Sequence, residues 1–292
     1  MMPKLSIIIP TRDRPQLLAR AVQSALSQTM TDLEVIVVDD ASTQPIDLPA
    51  DPRLRIIRLS TSHGGAGARN VGTKAAQGRW IAYLDDDDCL LPQMAAVSLE
   101  AIAKATLPPP VGVISGIDVV DDAGKILETR IPPPSRPRGC HFALEVLEPG
   151  KSYNTKQTLV VEREVILQIG GWDEAFRSRV HTELFLRLNP VCSILGLPIV
   201  TYQLYEHPGA RVSRNTNLRQ ESFQRLIDKH QAIFRAHPQM FANFVYDHAL
   251  MSYRMGQKSQ ALSSVVWAIQ IDPLRTMKKT IKKLISKSKV KS

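Results

Sequence analysis

The stretch LSIIIPTRDRPQLLARAVQSALSQTMTDLEVIVVDD, residues 5–40, decides the fold. It opens on Leu5-Ser6-Ile7-Ile8-Ile9-Pro10, a continuous apolar run of strand length, as expected of a strand buried on both faces of a parallel sheet. A helix should follow. Asp13 can cap it, Pro15 suits its first turn, and Leu17, Leu18, Ala21, Val22, Ala25 and Leu26 recur at helical spacing. Residues 33–38 then read as a second buried strand ending in Asp39 and Asp40. Residues 54–59 read as a third strand, 66–77 as a helix opened by glycines, and 80–84 as a fourth strand ending in Asp85-Asp86-Asp87-Asp88. Strands alternating with helices predict an α/β fold with a Rossmann-like, mostly parallel sheet and helices on both faces. Ligands of such sheets bind beyond the C-terminal strand ends, where both acidic clusters fall.

The second half is less regular. Residues 111–120 and 126–130 read as a hairpin joined by Asp121-Asp122-Ala123-Gly124-Lys125. A short helix over 162–169 stops at Gly170-Gly171. From about Leu218 the pattern is helical, and residues 249–273 resemble one helical hairpin of the tetratricopeptide kind. One copy cannot make a solenoid, so a helical appendage is expected, giving domains at 1–215 and 216–292.

Charge sharpens this division. The 292 residues carry 37 Lys and Arg against 28 Asp and Glu, a formal +9. Seven lysines and one arginine lie within residues 273–292, which hold no acid, so the preceding 272 residues carry 29 basic groups against 28 acidic ones. A uniformly basic nucleic-acid-binding surface is thereby excluded, and no specific nucleic-acid partner is expected. No apolar run approaches the roughly 18 to 20 residues needed to span a bilayer. The N-terminus makes a poor secretory signal. Cys89, Cys140 and Cys192 are odd in number and outside C-x-x-C spacing, which suits a cytoplasmic protein and gives no zinc site. Two readings of the tail stand. Leu274, Met277, Ile281 and Leu284 among the lysines would make a basic amphipathic helix on an anionic bilayer, at the inner face of the plasma membrane, or the segment is a solvated terminus.

The aspartates carry the chemistry. Four adjacent carboxylates at a strand end repel one another unless cations or hydrogen-bond donors compensate, and hard oxygen ligands suit Mg²⁺ or Mn²⁺ shared with a diphosphate. A solvated acidic loop is the bland alternative. One of Asp39 and Asp40 can accept hydrogen bonds from a base or ribose, or both cap the turn at Ser42-Thr43. Gly64-Gly65-Ala66-Gly67 leads into Ala68-Arg69-Asn70 at a helix start, where backbone amides favour anions and Arg69 adds a charged donor. It is not the dinucleotide fingerprint, because the third glycine falls at Asn70 and the loop follows a later strand.

The ordered set PTRDRP at 10–15, VVDDAST at 37–43, ARN at 68–70, YLDDDD at 83–88 and GGWDE at 170–174 resembles glycosyltransferase family 2, with its GT-A fold, over residues 4–210. The resemblance implies inverting transfer of a sugar from a nucleoside-diphosphate donor to a hydroxyl of a glycan or lipid-linked acceptor. It places Thr11 and Asp40 at the base, with Arg12 and Asp39 in the same nucleotide site. Arg69 would lie near the nucleotide, Asp86 at the ribose or diphosphate, and Asp87 on the metal, with Asp85 supporting either metal or nucleotide. His207 matches a position near the donor diphosphate and is a candidate metal ligand.

The family usually places its general base in an E-D pair after the GGxDE segment. Here Val180 and His181 stand in those positions. A neutral imidazole can accept a proton, so His181 is the preferred base and Glu183 the competitor. In a helix the two point roughly 200° apart, at about 100° per residue, and cannot both enter one site. Glu183 is also four residues before Arg187, the spacing of a surface ion pair. Gly171, Trp172 and Asp173 form the expected acceptor wall, the indole stacking on a sugar ring, against the alternative of a helix cap at Gly170-Gly171 with Trp172 in the core. Processive synthases of the family add a QxxRW motif and membrane helices. Neither appears, so a single-sugar transfer is expected. Two rival functions stand: a non-catalytic nucleotide-sugar or glycan-binding module that lost its base, and a sugar-phosphate nucleotidyltransferase, which would carry a glycine-rich loop where PTRDR stands.

Overall fold

The structure is a computed structural model and describes residues 2–140, 144, 147–206 and 215–279. Its contacts group the chain into two compact units, residues 1–143 with 147–210, and residues 144–146 with 211–292.

The first unit is built on β1 (Leu5–Thr11), β2 (Leu33–Asp39), β3 (Leu54–Arg58), β4 (Trp80–Tyr83), β5 (Cys89–Leu90), β6 (Val111–Val120), β7 (Ile126–Arg130), β8 (Val160–Glu162) and β9 (Ser193–Tyr205). Among the described residues they form one sheet in the order β3-β2-β1-β4-β8-β6-β9-β5, with β7 hydrogen-bonded to β6. The β1, β2, β3 and β4 pairings are parallel, β6 pairs β9 in parallel, and β8 runs antiparallel to β4 and β6. This is the α/β, mostly parallel architecture that the strand–helix alternation predicts, and the 111–120/126–130 hairpin is β6 and β7.

The apolar runs form strands because both sheet faces are covered. Along β1 and β2, Ile8, Ile36 and Val38 enter one core with Ala66 and Ala68 of α2 (Gly64–Ala75) and Leu184 and Phe185 of α5 (Val180–Leu188). The alternate residues Ile7, Ile9, Val35 and Val37 enter a second core with Leu18, Ala21 and Val22 of α1 (Pro15–Leu26) and Met94 of α3 (Met94–Ala103). Period-two alternation therefore continues, with both faces buried. In-register pairing of Thr11 with Asp39, and of Ile8 with Tyr83, brings the C-terminal ends of β1, β2 and β4 to one sheet edge.

Two local expectations change. Asp13 does not cap α1: it has φ 54°, its carboxylate accepts the Thr43 amide at 2.7 Å, and Arg14 is the residue before the helix. Pro15 at the first helical position fixes the backbone instead. The second helix starts earlier than residue 66, at Gly64, whose φ of 70° costs glycine little. The short helix α4 (Arg163–Gln168) ends as expected in glycines: Gly171 N–H bonds Ile166 O and Gly170 N–H bonds Leu167 O, a Schellman cap.

The second unit is helical: α6 (Thr216–Lys229), α7 (Gln231–Ala236), α8 (Pro238–Arg254) and α9 (Lys258–Ile271). The α8–α9 hairpin turns at Gly256, φ 81°. Its aromatic core stacks Phe223 on His248 at 3.7 Å, and His248 Nε2 meets Gln220 Oε1 at 2.7 Å, so this histidine is a satisfied core residue. Residues 273–279 are helical, and the remainder of the basic tail lies outside the described residues. No described helix is long and apolar enough to cross a membrane.

Candidate active site

The four aspartates after β4 are not a solvated loop, since Asp86 and Asp88 are buried. Each is compensated by hydrogen-bond donors, Asp86 and Asp87 sharing one of them. Asp85 meets Arg69 Nη2 in a close ion pair. Asp86 accepts the Thr11 hydroxyl at 2.7 Å and Arg14 Nη1 at 3.1 Å. Asp87 takes the same Arg14 Nη1 at 3.2 Å, while Arg20 donates to its backbone carbonyl at 2.9 Å and lies 3.6 Å over the Tyr205 ring. Asp88 accepts the Tyr202 hydroxyl at 2.8 Å and the Tyr205 amide at 3.0 Å.

These surroundings move Asp85, Asp86 and Asp88 apart in ionisation. Burial, then the charges of Asp85 and Asp87, push the Asp88 carboxyl well above the usual range. Burial also raises Asp86, against the Thr11 hydrogen bond and Arg14. Burial opposes ionisation of Asp85 too, but Arg69, then His181 and Arg14, outweigh it and hold this carboxyl low. One oxygen each of Asp85, Asp87 and Asp88 lies within 4.8 Å of the others, a hard donor set of the kind Mg²⁺ or Mn²⁺ takes. Both Asp88 oxygens already serve Tyr202 and Tyr205, so Asp85 and Asp87 are the residues that would hold a cation. His207 lies outside the described residues.

The nucleotide candidates of β2 behave differently from one another. Asp39 is 0 % exposed; its carboxylate accepts the Ser42 amide at 2.8 Å and pairs with Arg58 at 3.6 Å. It caps the turn at Ser42, the alternative reading of this position. Asp40 accepts Ser62 Oγ at 2.7 Å and the His63 and Gly64 amides at 2.6 and 2.9 Å, so it organises the entrance of α2. A base would reach it only through its remaining lone pairs. Arg12 is exposed beside Asp13, at 3.6 Å. Arg69 is buried, donates to Gly65 O at 3.0 Å, and keeps an Nε with no partner among the described residues.

The GGWDE loop is clamped by Asn70. Its side chain accepts the Trp172 amide at 2.7 Å and donates to Trp172 O at 2.8 Å and Glu174 Oε1 at 2.9 Å. Gly171 has φ 71°, and a Cβ there would stand 2.5 Å from Asn70 Oδ1, so the clamp requires glycine. Trp172 is 2 % exposed and packs edge-to-face on Tyr83 at 4.9 Å and on His181 at 5.1 Å. Of the two readings of Trp172, these contacts favour the core one. Asp173 accepts the Ala175 amide at 2.9 Å, closing a local turn.

His181 opens the first turn of α5. Burial chiefly, with Arg69 and Lys156 adding and Asp85 opposing, pushes its pKa down to about 3, so the imidazole is neutral throughout the physiological range. Glu183 is 1 % exposed and receives Arg187 Nε at 2.7 Å and Nη2 at 2.5 Å, while Arg187 also donates to Ile169 O at 2.6 Å. The predicted i,i+4 pair exists, but it is buried rather than on the surface, because α5 lies against the core through Leu184 and Phe185. Two side chains that organise this site, Arg14 and Asn70, lie inside the quoted motifs and went unread in the sequence.

Residues 6–164 match the family described as Glycosyl transferase family 2. An uncharacterized glycosyltransferase of Haemophilus influenzae is 27% identical over 226 residues, 75% of this chain and 74% of that one. The Escherichia coli UDP-Glc:alpha-D-GlcNAc-diphosphoundecaprenol beta-1,3-glucosyltransferase WfaP is 42% identical over 88 residues, 29% of this chain; that match spans 35% of WfaP. Among solved structures, S. aureus TarS 1-349 in complex with UDP-GlcNAc superposes with a TM-score of 0.62 at 18% identity, covering 94% of this chain and 82% of that one.

Proposed function

The chain belongs to glycosyl transferase family 2, and from that premise we propose that it transfers a single sugar, with inversion, from a nucleoside-diphosphate sugar to a hydroxyl of a glycan or lipid-linked acceptor. The observation that carries this reading is the sheet edge itself: Asp85 and Asp87 stand with Thr11, Arg14 and Arg69 where β1, β2 and β4 end. Such an edge offers carboxylates for a divalent cation and guanidinium donors for a diphosphate within one site. A cation held by Asp85 and Asp87 would neutralise charge developing on the departing diphosphate. Arg69, fixed by Asp85 and Gly65 O, has an unused Nε for a phosphate oxygen. Thr11 and Arg14 hold Asp86 and Asp87 in position.

His181 is the proposed proton acceptor. Its imidazole is neutral, sits beside Trp172 and feels the charges of Arg69 and Asp85, whereas both oxygens of Glu183 are spent on Arg187. The relative named for a diphosphoundecaprenol-linked acceptor supports an acceptor carried on lipid diphosphate and a role in envelope glycan synthesis. The test is a panel of nucleotide sugars incubated with purified protein, with and without Mn²⁺, followed by mass spectrometry of products. Metal-stimulated transfer of one sugar with inverted anomeric configuration is the expected result; nucleoside-diphosphate binding with no turnover of any donor would sink the transferase mechanism.

Attachment to an anionic membrane surface is part of the same proposal. Leu274 and Met277, at 77 % and 52 % exposed, lie three residues apart in the helical segment 273–279, and the lysine-rich remainder follows. Each basic group near such a surface contributes on the order of 1 kcal/mol. Co-sedimentation of the full chain with phosphatidylglycerol-containing liposomes is expected at low salt and lost at high salt; no co-sedimentation at low salt would remove this part.

A further inference from the structure

A general base works only where its lone pair points at the proton, and enzymes usually fix that direction by a hydrogen bond from a third group. The His181 imidazole makes no such bond among the described residues. What meets its ring is Trp172, edge-to-face with centroids 5.1 Å apart and planes at 88°. The direction of the imidazole is therefore set by where the indole stands, and the indole is held by helix α2.

Three residues of α2 hold it. Asn70 takes both backbone polar groups of Trp172, accepting its N–H at 2.7 Å and donating to its carbonyl at 2.8 Å, and spends its second amide proton on Glu174 Oε1 at 2.9 Å. The fit is close, since a Cβ on the preceding Gly171 would stand 2.5 Å from Asn70 Oδ1. Arg69, one residue earlier, lies with its guanidinium carbon 5.1 Å over the indole. Thr73 donates to Arg69 O at 2.8 Å and so accepts the Tyr83 hydroxyl at 2.7 Å, which fixes the other ring packed on Trp172. The indole thus stands between the arginine that pairs with Asp85 and the imidazole of α5.

We propose that Asn70 is a positioning residue for proton transfer: by holding the backbone of Trp172 it fixes the indole against His181 and so sets where the imidazole presents its lone pair. This rests on the sugar-transfer reading, in which His181 takes the acceptor's proton. In that step the acceptor oxygen bonds the anomeric carbon, the bond to the diphosphate oxygen breaks with its electron pair, and the hydroxyl proton passes to the imidazole. Asn70 touches none of the reacting atoms and acts through Trp172. Its amide is the group that suits the place, because it accepts one hydrogen bond and donates two. Alanine would leave Trp172 N–H and C=O without this partner, and aspartate would set a carboxylate oxygen against Trp172 O and Glu174.

The experiment is a mutant cycle on the full chain: wild type, Asn70→Ala, His181→Ala and the double variant. Single-turnover transfer is followed with the donor found on the nucleotide-sugar panel, and UDP binding is measured on each protein by calorimetry. Asn70→Ala is expected to slow transfer by about 10- to 100-fold, the scale of a misplaced catalytic group, with UDP affinity within about twofold of wild type. In the His181→Ala background the same substitution should cost less than about twofold, because a residue that acts through the imidazole then has nothing to position. Asn70→Asp keeps the size of the side chain, should slow transfer in the same way, and covers the case of an alanine variant that does not fold. Equal losses in the two backgrounds would make Asn70 a general support of the loop and overturn the proposal. Unchanged transfer in both Asn70 variants would also overturn it, as would UDP affinity weakened by about tenfold or more, which would assign Asn70 to the donor. No turnover of any donor by the wild type would instead sink the sugar-transfer reading, and the positioning role with it.

Discussion

Asp87→Asn is expected to slow sugar transfer by about 10²- to 10³-fold, the scale of losing several kcal/mol of charge stabilisation in the transition state. It is also expected to abolish metal-dependent donor binding. Asp87 and Asp85 supply the carboxylate oxygens that Asp88, bonded to Tyr202 and Tyr205, does not have to spare. Asp87 has a second partner, Arg14, at 3.2 Å, so a loss of activity alone would be ambiguous. Mn²⁺ binding followed by electron paramagnetic resonance, in Asp87→Asn and in Arg14→Gln, resolves this. Weak Mn²⁺ binding in the aspartate variant, against undiminished binding in the arginine variant, is the expected pair. Equal Mn²⁺ affinity in wild type and Asp87→Asn would remove Asp87 from the metal site and leave it an anchor for Arg14.

Glu183→Gln should lower unfolding free energy by about 3 kcal/mol, because it breaks a bidentate pair whose acid is buried and leaves the Arg187 guanidinium without its counter-charge. The folded fraction should retain kcat. His181→Ala is expected to do the reverse, costing about 10²- to 10⁴-fold in kcat, as removal of a general base does, with donor affinity near normal. Denaturant midpoints and single-turnover rates on both variants are the measurements. A Glu183→Gln protein as stable as wild type yet slower by about two orders of magnitude would make Glu183 the base and displace His181.

Sequence spacing leaves His181 and Glu183 as rival bases. Helical spacing puts His181 and Glu183 on different sides of α5, and the i,i+4 relation pairs Glu183 with Arg187; both hold in the structure. What spacing cannot give is which side of α5 meets the core. The same gap leaves Trp172 two readings in the sequence, a sugar platform or a core residue, and its contacts with Tyr83 and His181 favour the second. Asp39 and Asp40 are adjacent and chemically identical, yet one is sealed under Arg58 and the turn at Ser42, and the other ties down the start of α2.

The sequence by itself determined the strand–helix order, the parallel sheet, the hairpin of β6 and β7, and the placing of acids at the ends of β2 and β4. These are local consequences of apolar runs, glycine and proline punctuation and side-chain period, each legible within about ten residues. Only the tertiary structure decided the partner of each aspartate, the burial of Trp172 and the burial of the Glu183–Arg187 pair. The physical reason is separation along the chain: Arg14 reaches Asp86 across 72 residues and Tyr202 reaches Asp88 across 114. Strand register and the packing of α5 on the sheet create those neighbours, and the neighbours set the charge and exposure of every group in the site.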